Sequence, residues 1–187
     1  VSNMHPEYLQ GKVLINIDNE TEGEFIVSCA GGAKAYSTLT YERESISEAA
    51  EIYKIKVSGL KGGHSGSEIH HERANAHLLM GRVLEAIKGV CPLQILNIEG
   101  GTKDNVITRE CDVWLAIPLA ITSKVMDIVK EMEKTFSAEY SVQDPDIKVT
   151  CEPAVYEGMA IDHTACDKVI PYLLTVPNGV MGFAHHM

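Results

Sequence analysis

A chain of 187 residues, 45% hydrophobic and 22% charged, is long enough for one sizeable core or for one domain and part of another. Its net charge of -10, with no basic run, excludes a nucleic-acid backbone as the main partner, because phosphate binding needs clustered Lys and Arg. No segment reaches the unbroken apolar length of a membrane span and no signal peptide opens the chain, so a soluble, cytoplasmic protein without a membrane partner is expected. Cys29, Cys91, Cys111, Cys151 and Cys166 are odd in number and form no CxxC, which reads as buried free thiols in a reducing compartment rather than a zinc ribbon.

In chain order, residues 12–17 make a nearly continuous apolar run of the kind found in buried strands, ending at Asp18-Asn-Glu-Thr-Glu-Gly23. Residues 24–29 and 35–41 are two more strand candidates, separated by Gly31-Gly32. After an acidic stretch a different grammar begins. Tyr53, Ile55 and Val57 alternate with Lys54, Lys56 and Ser58, the period of two of a half-buried strand. A helix is predicted over 69–88, carrying Ala76, Leu79, Val83, Ala86 and Ile87 on one stripe and ended by Gly89 and Pro92. Strands are predicted at 93–98 and 106–117. A second helix follows with Val125, Ile128, Val129, Met132 and Phe136 on one face, Asp127, Lys130, Glu131 and Lys134 opposite, and Ser123 as its N-cap. A strand at 146–152 completes a β-α-β-β-α-β set, the order of a ferredoxin-like α/β (α+β) sandwich with both helices on one sheet face. A further helix over 162–174 starts from the cap candidate Asp162 and is expected to kink or shorten at Pro171. The chain opens at Val1 and closes at His185-His186-Met187, straight after what reads as an unfinished turn and strand, so a piece of a longer protein is expected.

Two polar loops stand out. The first is Gly59-Leu-Lys-Gly-Gly-His-Ser-Gly66, where a strand delivers His64 into a setting of glycines that permits positive φ and close approach. His64 reads either as an imidazole able to donate to a developing oxyanion or as a histidine in an ordinary glycine-rich turn. Gly63-His-Ser-Gly66 also fits a GxxG nucleic-acid loop, which the acidic charge disfavours. The second loop is Gly100-Gly-Thr-Lys-Asp-Asn105, where Asn105 reads as turn chemistry or as an amide that recognises substrate. Asp18, at the end of a buried-looking strand, reads as a hard metal ligand or as part of an Asp-Asn turn. His70, His71 and His77 lack the HExxH spacing and are assigned to a helix surface or interface.

Taken together, Leu14-Ile-Asn-Ile-Asp18, Glu22-Gly-Glu, Ser28-Cys-Ala-Gly-Gly32, the His64 loop with Glu68-Ile-His70, Gly100-Gly-Thr with Asn105, and Pro177-Asn-Gly-Val180 resemble the aminoacyl-histidine dipeptidases. These are the Xaa-His dipeptidases, or bacterial carnosinases, among the di-zinc aminoacylase and glutamate-carboxypeptidase-like peptidases. The resemblance runs from about residue 11 to the C-terminus and rests on the order and spacing of the set. It implies a catalytic domain with two zinc ions per full-length subunit and an inserted lid domain that mediates homodimerisation. Residues 1–32 would be the edge of the catalytic domain and 33–187 the lid. Asp18 would match an aspartate ligand to one zinc, His64 the lid histidine that reaches the partner's active site and polarises the scissile carbonyl, and Asn105 an asparagine that holds the substrate. Thr108 departs from the proline common in the family before Arg109.

The family's His-x-Asp motif, bridging aspartate, Glu-Glu pair and last histidine ligand find no match here, so this chain alone is expected to be inactive and to bind no zinc tightly. The resemblance thus implies the lid of a zinc dipeptidase acting on Xaa-His dipeptides. The competing reading is a stand-alone ferredoxin-like binding or oligomerisation module without catalysis.

Overall fold

The computed structural model describes residues 5–13, 15, 17, 22–27 and 31–182. The chain divides into two compact units, Val1–Thr38 and Leu39–Met187.

In the first unit the described residues form one short 3-10 turn, Pro6–Leu9, and no strand. The strand candidates at 12–17 and 24–29 are corrected for their described residues, and 35–41 is likewise irregular. A strand needs a paired neighbour and a face to bury, and here Val13, Ile15, Ile17, Phe25 and Val27 are at least 80% exposed.

The second unit is built on a four-stranded antiparallel sheet. Its strands are β2 (Ala50–Ser58), β3 (Gln94–Gly100), β4 (Cys111–Pro118) and β5 (Lys148–Pro153), in the order β3-β4-β2-β5. A two-residue strand β1 (Arg43–Glu44) pairs separately with β6 (Ala160–Ile161). Helix α1 (Ala76–Lys88) connects β2 to β3, α2 (Thr122–Glu139) connects β4 to β5, and α3 (His163–Thr175) follows β6. That connectivity and strand order are those of the ferredoxin-like sandwich expected from the sequence.

The core follows from the two periodicities. Tyr53, Ile55 and Val57 of β2 are buried, and their register partners include Leu115, Val113 and Cys111 of β4. Against this face pack Leu79, Val83, Leu84 and Ile87 of α1 with Val125, Val129 and Phe136 of α2, one stripe from each helix. Asp127, Lys130, Glu131 and Lys134 of α2 are exposed, as their spacing predicts. Burying thiols disfavours the thiolate, so Cys111 is pushed up to about 12 and Cys151 to about 11, and both are free. Cys91 and Cys166 are free as well, and Cys29 lies outside the described residues.

Three helix readings change. Residues 69–75 do not belong to α1: Ile69–His71 form a 3-10 turn, Glu72 takes a left-handed conformation (φ 54°), and Asn75 caps α1 by accepting from the His77 N–H at 2.9 Å. The α2 helix begins at Thr122 with no side-chain cap, after a 3-10 turn at Leu119–Ile121, so Ser123 is not the N-cap. Pro171 does not end α3, which runs to Thr175, and the Thr175 hydroxyl donates to the Pro171 carbonyl at 2.7 Å. Asp162 is the N-cap of α3, accepting from the Ala165 N–H at 3.0 Å. The long strand predicted at 106–117 is confined to Cys111–Pro118, with Val106 making only an isolated bridge.

Candidate functional site

The two loops picked out by sequence lie side by side. His64 and Val106 form an antiparallel bridge in which Ser65 N–H donates to the Asn105 carbonyl and Ile107 N–H to the Gly63 carbonyl, each at 2.9 Å. The structure therefore brings His64 and Asn105 together through their backbones. Asp18, the remaining sequence-predicted site residue, lies outside the described residues.

His64 is exposed, but its ring is oriented. Nδ1 accepts from the N–H groups of Gly66 at 3.0 Å and Ser67 at 3.1 Å. Two donors aimed at Nδ1 make it the acceptor of the neutral ring, so Nε2 carries the proton. Among the described residues Nε2 makes no hydrogen bond, so the exposed ring keeps an unengaged N–H donor.

The loop is held by charged groups to which the sequence alone assigned no role. The Glu68 carboxylate accepts from the His64 N–H at 2.9 Å and pairs with Arg73 at 3.1 Å, while Arg73 also donates to the Gly62 carbonyl. The N–H of His64, and then the Arg73 charge, hold the Glu68 carboxyl below its usual range. Gly63 sits at φ 135°, and a Cβ there would come within 2.5 Å of the Arg73 guanidinium and 2.9 Å of Glu68 Oε2. That glycine is required by the close approach of the Glu68 and Arg73 pair to the backbone. Beneath them Asp144 is fully buried and accepts from the N–H groups of Lys61 and Ala74, both at 2.7 Å.

The second loop is tied mainly to the first and to α1. Arg109 Nε donates to the Leu60 carbonyl at 3.2 Å, and Thr108, buried, accepts from Ala76 N–H at 3.0 Å, serving one orphan donor of α1. His77 lies in α1, whereas His70 and His71, assigned from sequence to a helix surface, lie in the 3-10 turn before it. The His77 ring packs against Gly100, and burial pushes its pKa down. His70 and His71 are exposed, with ring centroids 4.1 Å apart.

A groove of about 430 Å³ runs beside the bridge, lined by Gly100–Thr102, Val106–Glu110, Glu99 and Asp112. Two of its carboxylates are already engaged, Glu110 with Lys56 at 2.8 Å and Asp112 with Lys54 at 2.5 Å. Among the described residues no group of three or more His, Cys, Asp or Glu side chains could hold a metal ion. The described site therefore offers an oriented imidazole donor, an exposed amide at Asn105 on the neighbouring loop, and a groove of mixed polar and apolar lining.

Comparison with known proteins places this geometry. Residues 54–144, from β2 to the turn after α2, match the family model described as the peptidase dimerisation domain. The chain is 32% identical over 174 residues, 93% of its length, to the cytosol non-specific dipeptidase of Escherichia coli (strain K12), of which it covers 36%. It is also similar to the crystal structure of aminoacylhistidine dipeptidase from Vibrio alginolyticus, at 28% identity and a TM-score of 0.76, covering 80% of this chain and 30% of that one. The chain spans about a third of the length of these relatives. No helix among the described residues is long and apolar enough to cross a membrane.

Proposed function

We propose that this chain is the lid and dimerisation part of a cytoplasmic zinc dipeptidase that hydrolyses Xaa-His dipeptides. In this reading residues 1–32 belong to the edge of the catalytic domain and 33–187 to the lid. The two compact units divide slightly later, after Thr38. The observation that supports a catalytic part for the lid is the exposed His64 ring, whose Nδ1 is occupied by two N–H donors while Nε2–H has no partner among the described residues.

A preorganised N–H aimed at the scissile carbonyl oxygen stabilises negative charge as it develops, and contributes most when water is excluded. In this reading His64 Nε2–H is that donor, reaching the active site of the other subunit of a homodimer. Asn105 presents its amide next to it and holds the dipeptide. Bound zinc would supply Lewis-acid polarisation and an activated water, which needs several His, Asp or Glu ligands. The described residues do not form such a set, and Asp18 is proposed as one ligand of it. The chain by itself is proposed to be inactive.

The test uses the full-length protein that contains this chain. His64→Ala is expected to lower kcat by roughly two to three decades with KM and bound zinc little changed, the signature of an interaction made only in the transition state. Mixing that variant with a subunit inactivated at its zinc ligands is expected to restore activity, because one intact metal site then meets one intact His64. Full activity in His64→Ala would reduce the residue to a turn histidine and favour the stand-alone binding module. A panel of dipeptides varied at the second residue decides the specificity: a flat kcat/KM profile would favour the broad activity named for the Escherichia coli relative.

A further inference from the structure

We propose that Asp144 is a positioning residue for His64, acting by clamping both roots of the loop that carries it. The proposal rests on the reading of His64 as the oxyanion donor. Asp144 lies in the turn between α2 and β5, where acidic residues normally face water. Here its neighbours Val142, Pro145 and Asp146 are exposed while Asp144 is 0% exposed. Burying a carboxylate is costly unless its oxygens are engaged, and both are: Oδ1 accepts from Lys61 N–H and Oδ2 from Ala74 N–H, each at 2.7 Å.

Those two amides mark the ends of the excursion that holds His64. Lys61 follows the end of β2, and Ala74 precedes the Asn75 cap of α1. One rigid side chain thus fixes where the chain leaves the sheet and where it enters the helix. The Glu68 and Arg73 contacts then set the shape of the loop between these points. The turn is itself anchored, since Asp144 N–H donates to the Tyr140 carbonyl at 2.8 Å. Because both partners are donors, the clamp requires an acceptor on each oxygen. An amide of identical shape offers one acceptor and turns a donor toward the other N–H.

The experiment compares Asp144→Asn with Ile87→Ala in the full-length protein. Ile87 is a fully buried core residue at the far end of α1 and controls for loss of stability alone. Hydrogen exchange read by mass spectrometry over residues 61–74, and kcat and KM on one dipeptide, are measured under conditions where both variants are folded. Asp144→Asn is expected to speed exchange over 61–74 and to lower kcat by roughly ten- to a hundred-fold, the cost of about 1 Å of misplacement, with KM little changed. Ile87→Ala is expected to lower Tm without either effect. Unchanged exchange over 61–74 would overturn the clamp, whatever the state of the His64 reading. Faster exchange with a kcat loss no greater than in Ile87→Ala would overturn the positioning role. If His64→Ala is itself fully active, the catalytic part falls while the exchange result still decides the clamp. Should Asp144→Asn fail to fold, Asp144→Ser removes the misdirected amide donor and is judged by the same two readouts.

Discussion

The two glycine-rich loops look alike in sequence and are held in opposite ways. The loop carrying His64 is fixed from within by carboxylates: buried Asp144 at its roots, and Glu68 with Arg73 across its middle. The loop carrying Asn105 is closed by its own turn bond, from the Val106 N–H to the Lys103 carbonyl at 3.3 Å, and leans on its neighbours. It is registered by backbone bonds to the first loop, by Arg109 reaching the Leu60 carbonyl, and by Thr108 accepting from α1. Its support from below is the half-buried ring of His77 against Gly100. The difference leads us to expect that the first loop supports the second more than the reverse. Damage to the first loop should loosen both, whereas damage to the second should stay local.

The largest effect that tests this direction is expected at Gly59, where β2 passes into the first loop. Its φ is +81°, and a Cβ would lie 1.9 Å from the Asp146 carbonyl oxygen, a backbone atom in the same turn as Asp144. Gly59→Ala should cost about 4 kcal/mol or more, from left-handed strain and overlap together, read as a fall in denaturation midpoint. Amide exchange should quicken in both loops. A smaller cost is expected at Gly100, where a Cβ would meet His77 Nε2 at 2.5 Å and the Glu110 carbonyl at 2.8 Å. Gly100→Ala should cost about 1 to 3 kcal/mol, less than at Gly59 because no left-handed strain adds to the overlap, and should leave exchange over 61–74 unchanged. Equal loosening of both loops by the two variants would break the asymmetry.

How much of this was readable in the sequence depends on whether the cause is local. The alternation at Tyr53, Ile55 and Val57 and the stripe Val125, Val129 and Phe136 report faces that any core would bury, and both are buried. The start of α1 was misplaced because nothing in Ile69-His-His-Glu-Arg forbids a helix. It is stopped by the Asp144 carboxylate, which takes the Ala74 N–H from seventy residues away. The apolar runs before residue 30 look like strands because their residues favour strands, but pairing partners are not written into a strand's own residues. In the site, the glycines marked the loops correctly. Asp144, Glu68, Arg73 and Arg109 were missed as working parts because a charged residue's burial and bonding depend on distant backbone. Among these only Glu68 and Arg73, close to His64 in sequence, left a signal that could have been used.

Acid should separate the two loops. His77 has its pKa lowered from 6.5 by burial, so as pH falls the unfolded chain takes up this proton before the folded one. The stability tied to neutral His77 is therefore complete above 6.5 and declines as pH drops from 6.5 toward the folded value. Glu68 has its pKa lowered from 4.5, chiefly by the His64 N–H, so its contribution is complete above 4.5 and is lost as pH falls through the folded value. Exchange corrected for intrinsic rates should quicken over 100–110 in the window just below 6.5, and at the His64 N–H, which the Glu68 carboxylate holds, below 4.5. His77→Gln should erase the first window and leave the second. Simultaneous loosening would mean that the loops share one acid-sensitive support.

The smallest effect on the fold is expected at Asn105. Its backbone carbonyl joins the bridge by accepting from Ser65 N–H, whereas its exposed side chain makes no hydrogen bond among the described residues. Truncating the amide leaves that carbonyl in place, so Asn105→Ala should change stability by no more than about 0.5 kcal/mol, as for surface changes that touch no special feature. Exchange at Ser65 and Ile107 should be unaltered. If the amide holds the dipeptide as proposed, the full-length variant should lose kcat/KM while its denaturation curve overlays the parent's. An amide that serves only the turn predicts the reverse, a shifted curve with unchanged kcat/KM. That outcome would leave His64 as the sole proposed contribution of the paired loops to catalysis.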